Sequence, residues 1–218
     1  MSKENNKKIR LDIIIVTINI ISILGTIFIY NKLPDKIAMH WNWAGNPDRF
    51  ESKSMIFLIA FLPMIIYILM KVFPKIDPKK ESYKKHAKAY NIFIGYTTLF
   101  LLSIHWSTVL YALGYNVDIS LVVKIGVGIL FLVIGNYMSQ IRQNYSFGIK
   151  IPWTLANEKV WRKTHRLGGY LYIISGLLFI ISIFLKGKIA LYLPLGFVIL
   201  SSIVTFIYSY IIYKKETE

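Results

Sequence analysis

Residues 189–213 read IALYLPLGFVILSSIVTFIYSYIIY, a largely apolar run of 25 residues without one charge. An α-helix rises about 1.5 Å per residue, so about 20 apolar residues cross the hydrocarbon core of a bilayer. Five further runs of similar length carry few or no charges. The six predicted spans are residues 11–30, 54–72, 89–113, 119–141, 167–185 and 189–213. The sequence therefore predicts an all-α polytopic membrane protein with six transmembrane helices.

The composition argues against a separate soluble domain. Hydrophobic residues make up 55% of the 218, and they are not interrupted with the period of an amphipathic helix or strand, as in a soluble domain. The six spans take up most of the chain, so we expect no separate soluble domain. The first run is longer than the apolar region of a signal peptide, and no small-residue cleavage site follows it, so we expect it to be retained.

The charge distribution predicts the orientation in the membrane. A net charge of +15 would also suit a nucleic-acid-binding protein, but the 26 Lys and Arg residues are unevenly placed. With a cytoplasmic N-terminus, 19 of them fall on the cytoplasmic side and 7 on the outer side. This is the positive-inside bias of bacterial inner-membrane proteins. We therefore predict that both termini are cytoplasmic, that membrane lipids are partners, and that nucleic acid is not bound directly.

Polar residues and glycines inside the spans predict helix–helix contacts. Asp12 and Asn19 lie seven residues apart, hence on one helical face, which should turn toward other helices. A lone His105 without an acidic partner on a neighbouring helix makes a poor proton relay, so we expect a packed, hydrogen-bonded histidine. In the fourth run, Gly126, Gly128 and Gly135 permit a neighbouring helix to approach closely.

The chain offers no catalytic or cofactor motif. It has no Cys, no GxSxG, no HExxH and no phosphate loop. In the outer loop, His40, Asn42, Asp48 and Glu51 suggest metal ligands, but there is no second His and no ligand spacing. We predict a non-enzymatic protein without cofactor or metal.

Two hydrophilic segments carry the remaining information. Residues 31–53, NKLPDKIAMHWNWAGNPDRFESK, combine turn residues with aromatic ones and predict a folded outer loop that caps the helices and is placed to meet an extracellular peptide. The other, residues 141–169, reads IRQNYSFGIKIPWTLANEKVWRKTHRLGG. There Gly148 and Pro152 indicate an irregular entry, and a helix capped by Thr154 should follow.

That helix has an aromatic, hydrogen-bonding stripe and a cationic stripe. Asn157, Trp161, His165 and Gly168 recur at helical spacing, whereas Arg162, Lys163 and Arg166 point elsewhere. One interpretation is a helix at the membrane interface, with its basic side chains on anionic lipid. The other is a docking surface for a protein partner. The spacing does not separate the two.

Both segments resemble known families. LPDKIAMHWNWAGNPDRFESK resembles the Pro, His/Trp-x-Asn, Gly-x-x-Asp signature of a bacterial membrane domain of unknown function. NYSFGIKIPWTLANEKVWRKTHRLGG resembles the signature of the SdpI family, with Lys150 where that family usually has Arg. The resemblance implies two domains: residues 1–88, with the outer loop 31–53 and a basic inner loop 71–88, and residues 89–218, with an inner loop at 141–166.

The resemblance also implies a function. It implies an immunity protein that protects a cell against a secreted cannibalism-type peptide toxin, and in the founding system the same protein also holds an ArsR-like autorepressor at the membrane. The toxin-contact candidates are His40, Trp41, Asn42, Trp43, Asp48 and Phe50. The repressor-docking candidates are Pro152, Trp153, Asn157, Trp161, Arg162, Thr164, His165 and Arg166. The alternatives are a small-solute or peptide transporter and a bundle that modifies the local membrane.

Overall fold

The structure is a computed structural model that describes residues 3–218, with side chains from residue 9 onward. The described chain contains eight α-helices, three short 3-10 helices and one two-stranded antiparallel sheet. The helices are α1 (Lys3–Ile29), α2 (Ile56–Ile76), α3 (Ser82–Lys85), α4 (Ala87–Ala112), α5 (Ile119–Met138), α6 (Pro152–Ala156), α7 (Glu158–Ile181) and α8 (Ile189–Thr217). The strands are β1 (Lys36–Trp41) and β2 (Pro47–Ser52).

Six of these helices, α1, α2, α4, α5, α7 and α8, are long and apolar enough to cross a membrane. Their large apolar side chains are mostly exposed, while small polar residues are buried. On α8, for example, Ser201, Thr205 and Ser209 are buried, whereas Ile199 and Ile203 are exposed. This distribution is expected when the surroundings are lipid, because small residues let helices approach and large apolar ones face the acyl chains. The prediction of six membrane-spanning helices is confirmed.

The sheet is a feature that the sequence did not predict. Strands β1 and β2 form a hairpin, which we define as residues 36–52, with an irregular register after Ala38. Its turn depends on Gly45, whose φ of +80° lies in the left-handed region, and on Asn42, whose side-chain oxygen accepts from the Ala44 and Asn46 N–H groups. The register shift breaks the period-two pattern by which a strand is detected in a sequence.

By its internal contacts the chain divides into two compact units. Unit 1 comprises residues 1–69 and 95–122, and unit 2 comprises residues 70–94 and 123–218. This division follows contacts within the chain. The sequence-based domains 1–88 and 89–218 were proposed from family resemblance, and that boundary stays a prediction.

In unit 1 a buried polar stripe on α1 contacts α4. The Thr26 hydroxyl donates to the Ser22 carbonyl and accepts from His105 Nε2 at 2.8 Å, and Trp106 Nε1 donates to Ser22 Oγ at 2.8 Å. His105 is fully buried, so it is a packed, hydrogen-bonded histidine, as predicted. The hairpin is attached to the same unit through an apolar cluster of Leu33, Ile37, Ile56 and Val109.

In unit 2 glycines allow α5 and α7 to touch backbone to backbone. A Cβ at Gly135 would lie 2.7 Å from the Gly169 carbonyl oxygen, and a Cβ at Gly169 would lie 2.9 Å from that of Gly135. Gly128 and Gly176 form the same reciprocal pair about two helical turns away. A Cβ at Gly128 would lie 3.1 Å from the Gly176 carbonyl oxygen, and a Cβ at Gly176 would lie 2.6 Å from that of Gly128. The predicted close approach at Gly128 and Gly135 is therefore present, with α7 as the partner helix.

Candidate functional site

The polar site of unit 2 is built on residues 141–151, which we call the signature loop. It ends at α6, and a second helix, α7, begins three residues later than a cap at Thr154 predicts. The N-cap of α7 is Asn157, whose side-chain oxygen accepts from the Lys159 and Val160 N–H groups. Thr154, predicted as the cap, instead lies inside α6, where its hydroxyl accepts from the Ile151 N–H and donates to the Ile149 carbonyl at 2.8 Å. The short helix α6 lies between the signature loop and α7, so residue spacing in the sequence could not show where the cap of α7 falls.

Trp161 and His165 form the interior of the site. Their rings stack with centroids 3.9 Å apart, and both side chains are 0% exposed. Trp161 Nε1 donates to the Ile141 carbonyl at 2.8 Å. His165 donates from Nδ1 to the Trp161 carbonyl at 2.8 Å and accepts at Nε2 from the Ile149 N–H at 3.0 Å. Each polar atom of the pair thus satisfies backbone of the signature loop or of α7.

Gly148 is required by this arrangement. Its φ is +120°, and a Cβ there would lie 2.5 Å from His165 Nε2 and 3.1 Å from the Trp161 ring. The loop backbone therefore runs directly over the stacked rings.

Two buried amides hold the signature loop. Asn144 accepts at Oδ1 from the Ser146 and Phe147 N–H groups and donates from Nδ2 to the Arg142 and Phe147 carbonyls. Gln143 donates from Nε2 to the Thr154 and Leu155 carbonyls at 2.7 and 2.9 Å. Because irregular backbone cannot pair with itself, these side chains replace the missing secondary structure.

The basic segment 71–88 also supports the signature loop, from the other side of the sequence gap between the two segments. The buried Asp77 carboxylate accepts from the Tyr83 hydroxyl, the Tyr145 N–H, the Ser146 hydroxyl and the Lys79 N–H, at 2.7 to 3.0 Å. Burial alone would favour the neutral acid, but these hydrogen bonds to the ionised form outweigh it and lower the pKa of Asp77. Burial, with the carboxylate alongside, raises the pKa of Tyr83 to about 12.

His86 is the third buried group of the basic segment. Its Nδ1 accepts from the Arg142 N–H at 3.2 Å, which requires the unprotonated nitrogen. Burial, together with the nearby charge of Arg142, lowers the pKa of His86 to about 4. The basic segment is therefore partly a structural wall and not only a solvated run of lysines.

Outside this interior the surface is cationic. On α7, Lys159 and Lys163 both form ion pairs with Glu216, at 3.2 and 2.7 Å, whereas the exposed Arg162 and Arg166 pair with no described carboxylate. A depression of about 440 Å³ opens beside the signature loop. It is lined by Lys79, Ser82, Lys85, Arg142, Gln143 and Glu158.

The structure separates the repressor-docking candidates into two groups. Trp161, Thr164 and His165 are fully buried, and Trp153 packs on Phe206 and Tyr210 of α8. These side chains are not presented to a partner: the signature loop covers Trp161 and His165, α8 covers Trp153, and Thr164 is buried. Pro152, Arg162 and Arg166 are exposed, and Asn157 is taken up by the helix cap.

The toxin-contact candidates in the hairpin are more open. Trp43 and Phe50 are 45% and 53% exposed. His40 Nδ1 and Asp48 Oδ1 pair across the strands at 2.5 Å, near the hairpin surface. Trp41 packs edge-on against Tyr111, and the Asn42 side chain is used by the turn. Among the described residues there is no group of three or more His, Cys, Asp or Glu that could hold a metal ion.

Sequence reasoning missed the supporting residues Asp77, Tyr83, His86, Gln143 and Asn144. A signal was available for one of them, because Asp77 is one of only two acids in the lysine-rich run 71–88 and lies next to Pro78. The two amides carried no signal, since Asn and Gln in a polar loop are usually solvated.

Membrane helices with inward-facing small polar residues define a polytopic α-helical membrane protein, here with a side-chain-stabilised loop between α5 and α7. The sequence model of the SdpI/YfhL protein family matches residues 140–209, and that of a domain of unknown function, DUF1648, matches residues 17–66. The protein named Immunity protein SdpI from Bacillus subtilis (strain 168) is 30% identical over 205 residues, which cover 94% of this chain and 96% of that protein. No solved structure matches.

The chain belongs to the SdpI family and is a multi-pass membrane protein. The match at residues 140–209 contains all of the signature loop, α6 and α7, and most of α8. The match at residues 17–66 contains the hairpin. Both parts that the structure distinguishes as sites therefore lie in matched regions.

Proposed function

We propose that this protein protects the cell against a secreted peptide toxin by binding it. The observation that carries the proposal is the similarity to Immunity protein SdpI along nearly the whole of both chains. A match of this extent includes the hairpin as well as the signature loop. It therefore supports transfer of the whole protein's role, rather than of the role of one shared segment.

The hairpin is the proposed toxin-binding surface. The positive-inside bias favours an outer position for it, and its exposed Trp43 and Phe50 would present apolar rings to an apolar peptide. His40 and Asp48 provide a polar pair beside them. The cluster under the hairpin fixes its backbone, so binding does not have to order a loop, which favours affinity.

Survival of a sensitive host tests protection. The chain is expressed in a strain killed by the secreted peptide encoded in its own gene neighbourhood, and survival is scored against peptide dose. Protection by the wild type, reduced by Trp43→Ala with Phe50→Ala, supports the proposal. Protein that inserts at normal yield yet gives no protection against any such peptide contradicts it.

Sidedness is tested separately with Ala44→Cys. The chain contains no natural Cys, and Ala44 is exposed at the hairpin turn. A membrane-impermeant thiol reagent should label this variant on intact cells. Labelling only after lysis would place the hairpin on the inner side and would remove the proposed toxin surface.

We also propose that the protein retains an ArsR-like autorepressor at the membrane. Because Trp161 and His165 are buried, the exposed Arg162 and Arg166 are the docking groups in this proposal, and they call for an acidic surface on the repressor. A repressor's DNA-binding surface is itself basic and would be repelled.

A fluorescently tagged repressor from the same gene neighbourhood reports the second activity. Arg162→Ala with Arg166→Ala should release it from the membrane, while survival in the presence of toxin is unchanged. Lys159→Ala is the matched control, since it lies on the same helix and its charge is already paired with Glu216. Retention of the repressor by the double variant, or equal release by the control, contradicts docking at these arginines.

A further inference from the structure

The depression beside the signature loop has the features of an anion site. Lys79, Lys85 and Arg142 contribute three cations to its lining, and Glu158 contributes one carboxylate. Ser82 and Gln143 add neutral polar groups. All six residues belong to unit 2. At neutral pH the lining therefore carries a net charge of about +2.

Two of the three lining cations lack the carboxylate partners that neighbouring lysines have. Lys84 pairs with Glu81 at 2.6 Å, and Lys159 and Lys163 pair with Glu216. By contrast, Lys85 and Arg142 form no ion pair with any carboxylate in the part of the chain described with side chains, and both are exposed. Like charges held around one concavity repel each other, so an anion placed between them is stabilised.

Part of the lining is fixed in advance. The Lys79 ammonium donates to Gln143 Oε1 and lies 5.9 Å from the centre of the Tyr145 ring. Gln143 is only 8% exposed, and its Nε2 is held by the Thr154 and Leu155 carbonyls. The buried amide therefore positions a lysine charge at the depression, which reduces the entropy lost on binding.

The depression also lies at a particular depth. Five of its six lining residues fall in the connections between membrane-spanning helices, and Glu158 is the first residue of a span. The phosphates of a bilayer occupy this layer, just beyond a hydrocarbon core of about 30 Å. Juxtamembrane cations attract anionic lipid by about 1 kcal/mol each.

We propose that this depression binds a largely dianionic phosphate group, either that of a phosphate monoester or inorganic phosphate itself. Arg142 offers a planar fork of donors to two phosphate oxygens, Lys79 and Lys85 supply further charge, and the Ser82 hydroxyl is an additional donor. A monoester carries about 1.5 to 2 negative charges at pH 7, which matches the lining better than the single charge of a phosphodiester. The group can come from the headgroup of phosphatidic acid or from free phosphate. The inference does not depend on toxin immunity.

Calorimetric titration of the purified full-length protein in a zwitterionic detergent tests the site. The probes are short-chain phosphatidic acid, phosphatidylglycerol and phosphatidylcholine, and inorganic phosphate. We expect phosphatidic acid to bind at least tenfold more tightly than phosphatidylglycerol. Displacement of the lipid by inorganic phosphate assigns the site to the phosphate group from either source, and lipid binding without displacement assigns it to the headgroup. No preference for the monoester overturns the proposal.

Substitutions at exposed positions locate the binding. Arg142→Gln and Lys85→Gln should each weaken phosphatidic acid binding roughly tenfold, the loss of about 1.4 kcal/mol expected for one charge-assisted contact. Glu158→Gln should strengthen it, because a carboxylate repels phosphate. Lys80→Gln and Lys84→Gln, outside the lining, are the controls.

Two outcomes contradict this location. Equal weakening by the controls would mean that the whole basic segment attracts anions without a site. Wild-type binding by both Arg142→Gln and Lys85→Gln would place the ligand elsewhere. The thermal unfolding midpoint of each variant in the same detergent separates loss of binding from loss of fold.

Discussion

The hairpin and the signature loop use the same residue types in opposite ways. In the hairpin, backbone pairing between β1 and β2 maintains the shape, and Trp43 and His40 remain exposed. The backbone of the signature loop has no regular pairing, so Trp161 and His165 are buried to satisfy it. Where the backbone groups hydrogen-bond to each other, aromatic side chains can stay exposed and contact a ligand. Where the backbone groups lack such partners, aromatic side chains are buried to provide them.

The two asparagines that organise these regions show the same difference. Asn42 accepts from two backbone N–H groups at the hairpin turn, and Asn144 accepts from two in the signature loop. Water can replace Asn42 at an exposed turn. Asn144 is 0% exposed and also contacts the Tyr83 hydroxyl, so no water replaces it.

Trp161→Ala is expected to have the largest effect on folding. Truncating a fully buried aromatic residue costs about 3–5 kcal/mol, and here the Ile141 carbonyl also loses its donor. We expect a large fall in membrane yield and in the thermal unfolding midpoint. Trp43→Ala, the matched change in the hairpin, should alter the free energy of unfolding by less than about 0.5 kcal/mol. Similar losses for the two variants would contradict the contrast between the regions.

Asn144→Ala is expected to destabilise the protein by about 3 kcal/mol, because several buried backbone groups lose their partners. The corresponding Asn42→Ala should cost about 1 kcal/mol or less, since water reaches the turn. Chemical unfolding in one detergent measures the difference between the variants. If Asn42→Ala proves the more destabilising, the hairpin turn depends on its side chain more than its exposure indicates.

Acid should destabilise unit 2 through His86. An unfolded histidine has a pKa near 6.5, and the folded value is about 4, so the unfolded state binds more protons below pH 6.5. The stabilisation by neutral His86 is fully present above pH 6.5 and is lost progressively as the pH falls to 4. At pH 5 the free energy of unfolding should be about 2 kcal/mol lower than at neutral pH. His86→Asn retains an acceptor for the Arg142 N–H but does not titrate. We expect its stability to fall less between pH 7 and pH 5 than that of the wild type, and equal slopes would exclude His86 as the cause.

Phe50→Ala should have the smallest effect on folding and a clear effect on protection. Its side chain is 53% exposed, so truncation should change the free energy of unfolding by less than about 0.5 kcal/mol. If the hairpin binds toxin, loss of an aromatic anchor costs about 2 kcal/mol, roughly thirtyfold in affinity. Survival at graded peptide doses measures this. A variant that is both stable and fully protective would remove Phe50 from the proposed surface.

The sequence alone determined the six membrane helices and several of their contacts. Uncharged runs of about 20 residues have no stable alternative to a membrane helix, because lipid leaves backbone groups no other partner. Gly128 and Gly135 indicated a close helix contact for a similarly local reason, since a residue without a side chain leaves room. The irregular entry at Gly148 and Pro152 also followed from the residues themselves.

Only the tertiary structure decided which face of α7 is covered. Helical spacing placed Asn157, Trp161 and His165 on one stripe, but periodicity does not say whether a stripe meets lipid, a partner or the chain's own loop. The covering comes from the signature loop, which is held by Asp77 and Asn144, and contacts made across more than 60 residues leave no local pattern. The hairpin strands also required partners from elsewhere in the chain, because two short strands are stable only when packed against a core.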